Sequence, residues 1–449
     1  MRNRMLLLAA LLAAFDAGAA TFTVNSTADQ ADAVPGNGFC SVMTGICSLR
    51  AAIQEANALA GPDVIQLPAG NFAFSIAGAG EDFAATGDLD IRGDLVIEGA
   101  SAATTVIDAN SVDRAFDVPP APSAALSVTI RNVTIREGAT SGAAGAGIRH
   151  DDDGTLAVED AILEQNQVSG TSSDATGGAI SSEGNGTLEV RRSLLAHNGA
   201  DRGGAIFYNG TFAIWDSTFD TNTGRTGAAI QAYGNGTVER CTLVENVATN
   251  GSTVNVSVGS LVLQNSTLSG NDSSLATIVA SGSSLALESV TASGNAAPMG
   301  IWVVTGVSLV NSVLIGTSGG PECSITGGSV TSLGHNLDDD DTCGAAPGDI
   351  PAQNPLLAPL ASNGGPTETH LPAAGSPLAN AGLDSACLLE DQRGFLRNLG
   401  PGNACDVGAV EFSVPEAGAG LAGVTALAAL GALRRRAASR RPQRERELR

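Results

Sequence analysis

The sequence predicts an all-β solenoid, a parallel β-helix closed at its start by a short helix. Three observations carry that prediction. Similar segments recur every two dozen residues or so. Within each segment apolar and polar residues alternate as they do in a strand. The composition, with 56 glycines, 43% apolar residues and only 4% aromatics, combines many turns with enough aliphatic side chains to bury a long core.

The repeat is plainest at its closing residues, Asn166, Asn198, Asn222, Asn246, Asn271, Asn295 and Thr317, which are 32, 24, 24, 25, 24 and 22 residues apart. The segment before each of them, such as residues 188–198, starts with period-two alternation (Leu188, Val190) rather than a helical stripe. A second short strand follows the asparagine, at Gly177-Gly-Ala-Ile180, Gly203-Gly-Ala-Ile206, Gly227-Ala-Ala-Ile230 and Gly251-Ser-Thr-Val254. Two or three short strands joined by Gly and Asn turns make one coil of such a helix. Stacking turns sequence columns into ladders. Asn166, Asn198, Asn222, Asn246, Asn271 and Asn295 are read as corner pieces, because Asn tolerates the left-handed backbone of a sharp turn and stacked amides can bond to one another. Asp160, Arg192, Asp216 and Arg240 place opposite charges on successive rungs. Cys241 takes the place of Ser193, Ser217 and Ser266 in the next column, which reads as a packed, inert thiol.

Read in order, the chain divides into five stretches. Residues 1–20 have the pattern of a secretory signal, with Arg2 and Arg4, an apolar run from Met5 to Phe15 and small residues near Ala19 and Ala20. Residues 21–88 form an N-terminal cap, whose most helical part runs from Cys47 to Ala60 with Leu49, Ile53 and Ala56 on one face. A cap is needed because a terminal coil otherwise exposes core and unpaired strand edges. Residues 89–320 supply the coils and 321–412 a C-terminal module. Residues 413–449 form a tail: Val414, Pro415 and Glu416, then the uncharged stretch 417–433, then an arginine cluster that would hold the cytoplasmic side of a membrane. The cysteines of a secreted chain suggest bridges among Cys40, Cys47, Cys323, Cys343, Cys387 and Cys405, neighbours in sequence two by two, with connectivity open.

Charge excludes several functions. Of 23 basic residues, all arginine, ten lie in the terminal tails; residues 21–433 keep 23 − 10 = 13 against 46 − 3 = 43 acidic ones, a formal charge of −30. Such a body repels nucleic acids. The lack of lysine rules out a Walker phosphate loop and Schiff-base chemistry. His150, His197, His335 and His370 are too scattered for a zinc site.

Several stretches resemble known families. Cys47-Ser-Leu-Arg-Ala-Ala-Ile-Gln-Glu-Ala-Asn57 is similar to the CSLREA motif of secreted bacterial β-helix proteins, with Ala51 at a position usually acidic. Residues 321–412, through Asn354-Pro-Leu-Leu, Asp391-Gln-Arg-Gly394 and Cys405-Asp-Val-Gly-Ala-Val-Glu411, resemble the choice-of-anchor Q domain. The tail resembles PEP-CTERM sorting signals, which implies a C-terminal processing protease; a plain membrane anchor is the other reading. The repeated Gly-Gly-Ala-Ile is similar to motifs of polymorphic outer-membrane adhesins. Together the resemblances imply a right-handed parallel β-helix, secreted and associated with the cell envelope.

They imply no reaction, and no catalytic residue is assigned. A pectate-lyase-like enzyme would resemble a Ca²⁺ site with an Arg or Lys base acting on an acidic polymer, which this acidic, lysine-free body disfavours. A hydrolase needs converging carboxylates, whereas Asp151-Asp-Asp153 and Asp338-Asp-Asp-Asp341 read as solvated loops with weak Ca²⁺ binding at most. No other cofactor is expected. A binding face suits a solenoid better. Trp215, in an outward column with Arg191 and Glu239, and Tyr208 and Tyr233 are the candidate glycan contacts. The expectation is an adhesion, matrix or display protein that binds an extracellular polysaccharide or surface partner, with a polysaccharide lyase or glycoside hydrolase as the alternative.

Overall fold

The structure is a computed structural model that describes residues 18–43, 45–121, 124–282, 284–397 and 404–412. The expected leader lies almost wholly outside the described residues, and the tail with Val414, Pro415 and Glu416 entirely so. The architecture is the right-handed parallel β-helix. Among the described residues the coils build four parallel sheets, which we number in the order in which the chain visits them. Sheet one has 12 strands, sheet two 11, sheet three 6 and sheet four 10. Twelve strands at roughly 4.8 Å spacing make a stack about 50 Å long.

One coil shows why the sequence folds this way. Thr187–Arg191 lies in sheet one, Leu194–Ala196 in sheet two, Gly199–Arg202 in sheet three and Ile206–Tyr208 in sheet four. In sheet one Leu188 and Val190 point inward and stack on Leu156 and Val158 below and on Phe212 and Ile214 above. The inward column then meets Gly236, where a Cβ would lie 2.0 Å from the Phe212 ring. The glycine therefore makes room for the largest side chain of that column, conserving volume across two coils.

The corners are built differently from the sequence expectation. The left-handed residue between sheets one and two belongs to the charged column: Asp160, Arg192, Asp216, Arg240, Asn265, Ser289 and Asn311 all have φ between 44° and 55°. At the next corner it is the residue before each asparagine, Gln165, His197, Thr221 and Glu245, that turns left-handed. The asparagines themselves are buried and stack, as expected, with Nδ2 of each donating to Oδ1 of the next at 2.8–3.0 Å from Asn166 through Asn295. Their role is to satisfy backbone rather than to adopt a special backbone. The same Oδ1 accepts the preceding asparagine's amide, and the same Nδ2 reaches a carbonyl of the coil below, as from Asn222 to Leu195. The serine column works similarly, Ser217 Oγ accepting the Ser193 amide and Ser266 Oγ the Cys241 amide.

The N-terminal end is covered. Helix α1, Leu49–Ala58, starts where Ser48 Oγ accepts the Ala51 amide. It is buried on all sides from Leu49 to Ala56 rather than along one face. Arg50 is buried and joins Asp29 Oδ1 at 2.6 Å to three carbonyls, those of Ala84, Gly87 and Asp88. Bridges link Cys40 to Cys47, Cys323 to Cys343 and Cys387 to Cys405, and Cys241 is free and buried.

At the other end, strands Cys323–Ile325, Ser329–Ser332 and Leu337–Asp338 still belong to the stack. The chain then turns back along the outside of the coils. Gln392, fully buried, donates to Cys241 O and Thr242 Oγ1 and accepts from Thr267 Oγ1 at 2.6 Å. His370 meets Ser269, Arg397 donates to Asn265, and Gly408 N donates to Asn311 O. Among the described residues no helix is long and apolar enough to cross a membrane.

Candidate functional site

Sheet one presents the longest outer face. Its register aligns Glu98, Arg131, Glu159, Arg191, Trp215, Glu239, Gln264 and Glu288 in one outward column. Opposite charges meet along it, where Arg131 lies 3.1 Å from Glu98, and across to the neighbouring column, where Arg191 lies 2.7 Å from Glu189. The Arg191 guanidinium sits over the half-buried Trp215 ring, 4.7 Å from its centroid. Beside this column runs one of mostly small residues, Ala157, Glu189, Ala213, Thr237, Val262 and Ala286, in which Glu189 is the one charged member. An aromatic ring beside small residues and an Arg–Glu pair is a surface on which a sugar ring can stack while its hydroxyls meet charged partners.

The three expected glycan contacts occupy three different places. Trp215 is on this outer face. Tyr233 is half-buried on the outer side of sheet four, where its ring tilts against Phe207 at 5.3 Å and its Oη accepts from Arg202. Tyr208 is in the core with no exposed surface and is out of reach of any glycan. The reason is parity: Ile206 points inward, so Tyr208, two residues on, does too. Small neighbours in the same column, Ser182 and Ala232, leave room for the ring. Its hydroxyl meets His150 Nδ1 at 3.2 Å, and burial lowers the His150 pKa to about 4, leaving the imidazole neutral.

The acidic runs are exposed loops at Asp153, Asp339, Asp340 and Asp341, as expected, but they also pin the backbone, with Asp152 and Asp338 buried. Asp152 is buried and accepts the amides of Ala121, Leu126 and Gly154 at 2.6–2.9 Å, while Asp151 pairs with Arg149 Nε at 2.6 Å. Asp338 accepts the Cys343 amide, Asp339 that of Gly316, Asp340 that of Glu322 and Asp341 that of Ala352. Turn-rich corners leave amides without strand partners, and short carboxylates are suited to capture them.

One constellation escaped the sequence reading. Asp88, Asp90 and Asp117 are almost fully buried, and one ligand oxygen from each lies within 4.8 Å of the others. Asp90 and Asp117 are register neighbours on the outer side of sheet four, and the loop 76–88 covers them. Asp117 Oδ2 receives Arg114 Nη1 at 2.9 Å and Arg149 Nη1 at 3.1 Å; Asp90 Oδ2 accepts the Ala84 amide at 2.6 Å. Asp90 Oδ1 and Asp117 Oδ1 have no partner. Burial, outweighing the Arg114 charge, pushes Asp88 up to about 8, and burial with neighbouring carboxylates pushes Asp90 to about 7. The available signal was an aspartate inside each of two apolar strands, Leu89-Asp-Ile91 and Ala115-Phe-Asp-Val118.

These features define a right-handed parallel β-helix protein with an acidic site on its N-terminal coils. Residues 122–312 match the family model described as a right handed beta helix region. Among solved structures, the crystal structure of pectate lyase Pel9A is similar at 14% identity and a TM-score of 0.50, covering 88% of this chain and 96% of that one. At that identity the likeness is one of fold. A mannuronic acid specific family 6 polysaccharide lyase from human gut microbiota matches at 10% identity and TM-score 0.35, over 68% of this chain and 89% of its own. The A-module of the Azotobacter vinelandii mannuronan C-5 epimerase AlgE4 matches at 15% identity and TM-score 0.32, over 65% and 83%. No curated protein matches the sequence significantly.

Proposed function

We propose that the protein is secreted and held at the cell envelope, where it displays the outer face of sheet one to a surface polysaccharide and catalyses no reaction. The observation that carries this reading is Trp215, half-buried beneath Arg191, which Glu189 of the neighbouring column holds at 2.7 Å, with Ala213 and Thr237 leaving the surface beside the ring low. A ring fixed in that way loses little freedom when a sugar stacks on it. The strongly negative body favours a neutral polymer over an acidic one. Three bridges among the seven cysteines, with the CSLREA-like and anchor-like stretches, support an oxidising, extracellular setting and a processing protease acting on the tail.

The test is binding to neutral and acidic polysaccharides by the purified body and by its Trp215→Ala variant, with reducing ends and unsaturated products followed in parallel. A neutral polymer retained by the parent and released about tenfold more readily by the variant, the loss expected for one stacking contact of about 1.4 kcal/mol, supports the reading. Product formation abolished by a single Asp substitution would replace it with the enzymatic alternative.

A further inference from the structure

We propose that Asp88, Asp90 and Asp117 form a calcium site that staples the loop 76–88, and through it helix α1, onto the first coils. The two carboxylate oxygens without a partner, Asp90 Oδ1 and Asp117 Oδ1, belong to residues only 0% and 4% exposed. Such atoms in a folded protein need a donor or a cation, because leaving them bare costs about 1–3 kcal/mol each and more when charged. The spacing suits a cation. Calcium binds oxygen at about 2.4 Å, so two ligands on opposite sides of it are at most about 4.8 Å apart, and the three carboxylates offer ligand oxygens within that distance.

The surroundings agree in sign. Arg114 and Arg149 bear on Oδ2 of Asp117, and Arg114 Nε stands 3.4 Å from Asp88 Oδ2. Glu81, Asp82, Asp113 and Asp151 also act on the three carboxylates, so acidic groups outnumber the two guanidiniums. All the donors are hard oxygens, which select calcium or magnesium over zinc. A cluster of protein carboxylates in irregular array suits calcium, because magnesium keeps most of its water in a near-octahedral shell.

The mechanical logic follows from who holds the loop. Asp90 Oδ2 accepts the Ala84 amide, and Arg50 of helix α1 takes the carbonyls of Ala84, Gly87 and Asp88. Neutralising the carboxylates therefore secures one continuous set of bonds from the cap, through the loop, to sheet four.

The experiment is thermal unfolding and titration calorimetry of the full chain at about pH 8, in chelator and in millimolar calcium, for the parent and for Asp90→Asn and Asp117→Asn. The expected result is binding with a dissociation constant of about 10⁻⁴ to 10⁻³ M. Calcium should raise the parent's Tm by several degrees and slow hydrogen exchange at residues 84–90. Both variants should fold in chelator at least as stably as the parent, because the amide removes a buried charge, and should lose the calcium response. A parent indifferent to calcium, or a response undiminished in both variants, overturns the site.

Discussion

Cys241 illustrates how a column decides the chemistry of a residue. Its thiol is fully buried between Ser217 and Ser266 of the same ladder, and burial pushes its pKa up to about 12. A thiol so held is protonated and shielded at any physiological pH. Native protein is expected to show no thiol reactive to an aromatic disulfide reagent at about pH 8, and one after denaturation; Cys241→Ser should shift Tm by no more than a few degrees because serine is the column's usual residue. Labelling of the folded protein would contradict this. Cys241's place was legible in the sequence because the repeat aligned it with serines. The fate of Tyr208 was equally available from parity with Ile206, two residues before it in the same strand. The aspartate trio was hidden because Asp88 and Asp90 meet Asp117 only when two irregular coils are stacked in register.

At the scale of the element, the asparagine ladder is a buried polar network in which each member serves its neighbours. Asn222 Oδ1 accepts both the backbone amide and the side-chain amide of Asn198. Asn222→Ala would leave the Asn198 backbone amide bare and its Nδ2 with only the Leu163 carbonyl, and is expected to cost about 2–6 kcal/mol. Asn166 Oδ1, at the end of the ladder, serves the Gly138 amide instead, so Asn166→Ala should cost about half as much. Denaturant titration of the two variants gives the comparison, and equal losses would show that stacking contributes nothing beyond single bonds. The period and the stacking were readable from sequence. The corner geometry was not, since the left-handed residues of the coils include Asp, Arg, Gln, His, Thr and Glu as well as Asn and Gly, held there by the coils on either side.

For the whole molecule, buried ionisable groups set the response to pH. Burial raises Glu322 to about 8, with Asp339 and Asp340 adding to the shift, and raises Asp406 to about 6. Each carries more protons folded than unfolded, so its contribution to stability falls as pH rises through the window up to its folded pKa. His150 and His370, both lowered by burial, act oppositely below about 6.5. Between about pH 6.5 and 8 Glu322 acts in the same sense as Asp88 and Asp90, raised to about 8 and about 7: Tm falls with rising pH in the parent, and Glu322→Gln lessens the slope without abolishing it. A slope unchanged by that substitution would assign the dependence elsewhere. Fold class was legible at this scale from repetition alone. The returning C-terminal stretch was not, because its contacts with the coils span 100 residues or more of sequence and follow no period.

That returning stretch has a mechanical corollary. Residues 407–411 run beneath the turn at 391–395 and against coils near Thr291 and Asn311, with Glu411 N donating to Asp391 and Ala409 N to Thr291. Tension applied at Phe412 thus enters the rod at its flank and loads several rungs simultaneously, in shear, whereas a strand leaving from the tip would let the turns peel away singly.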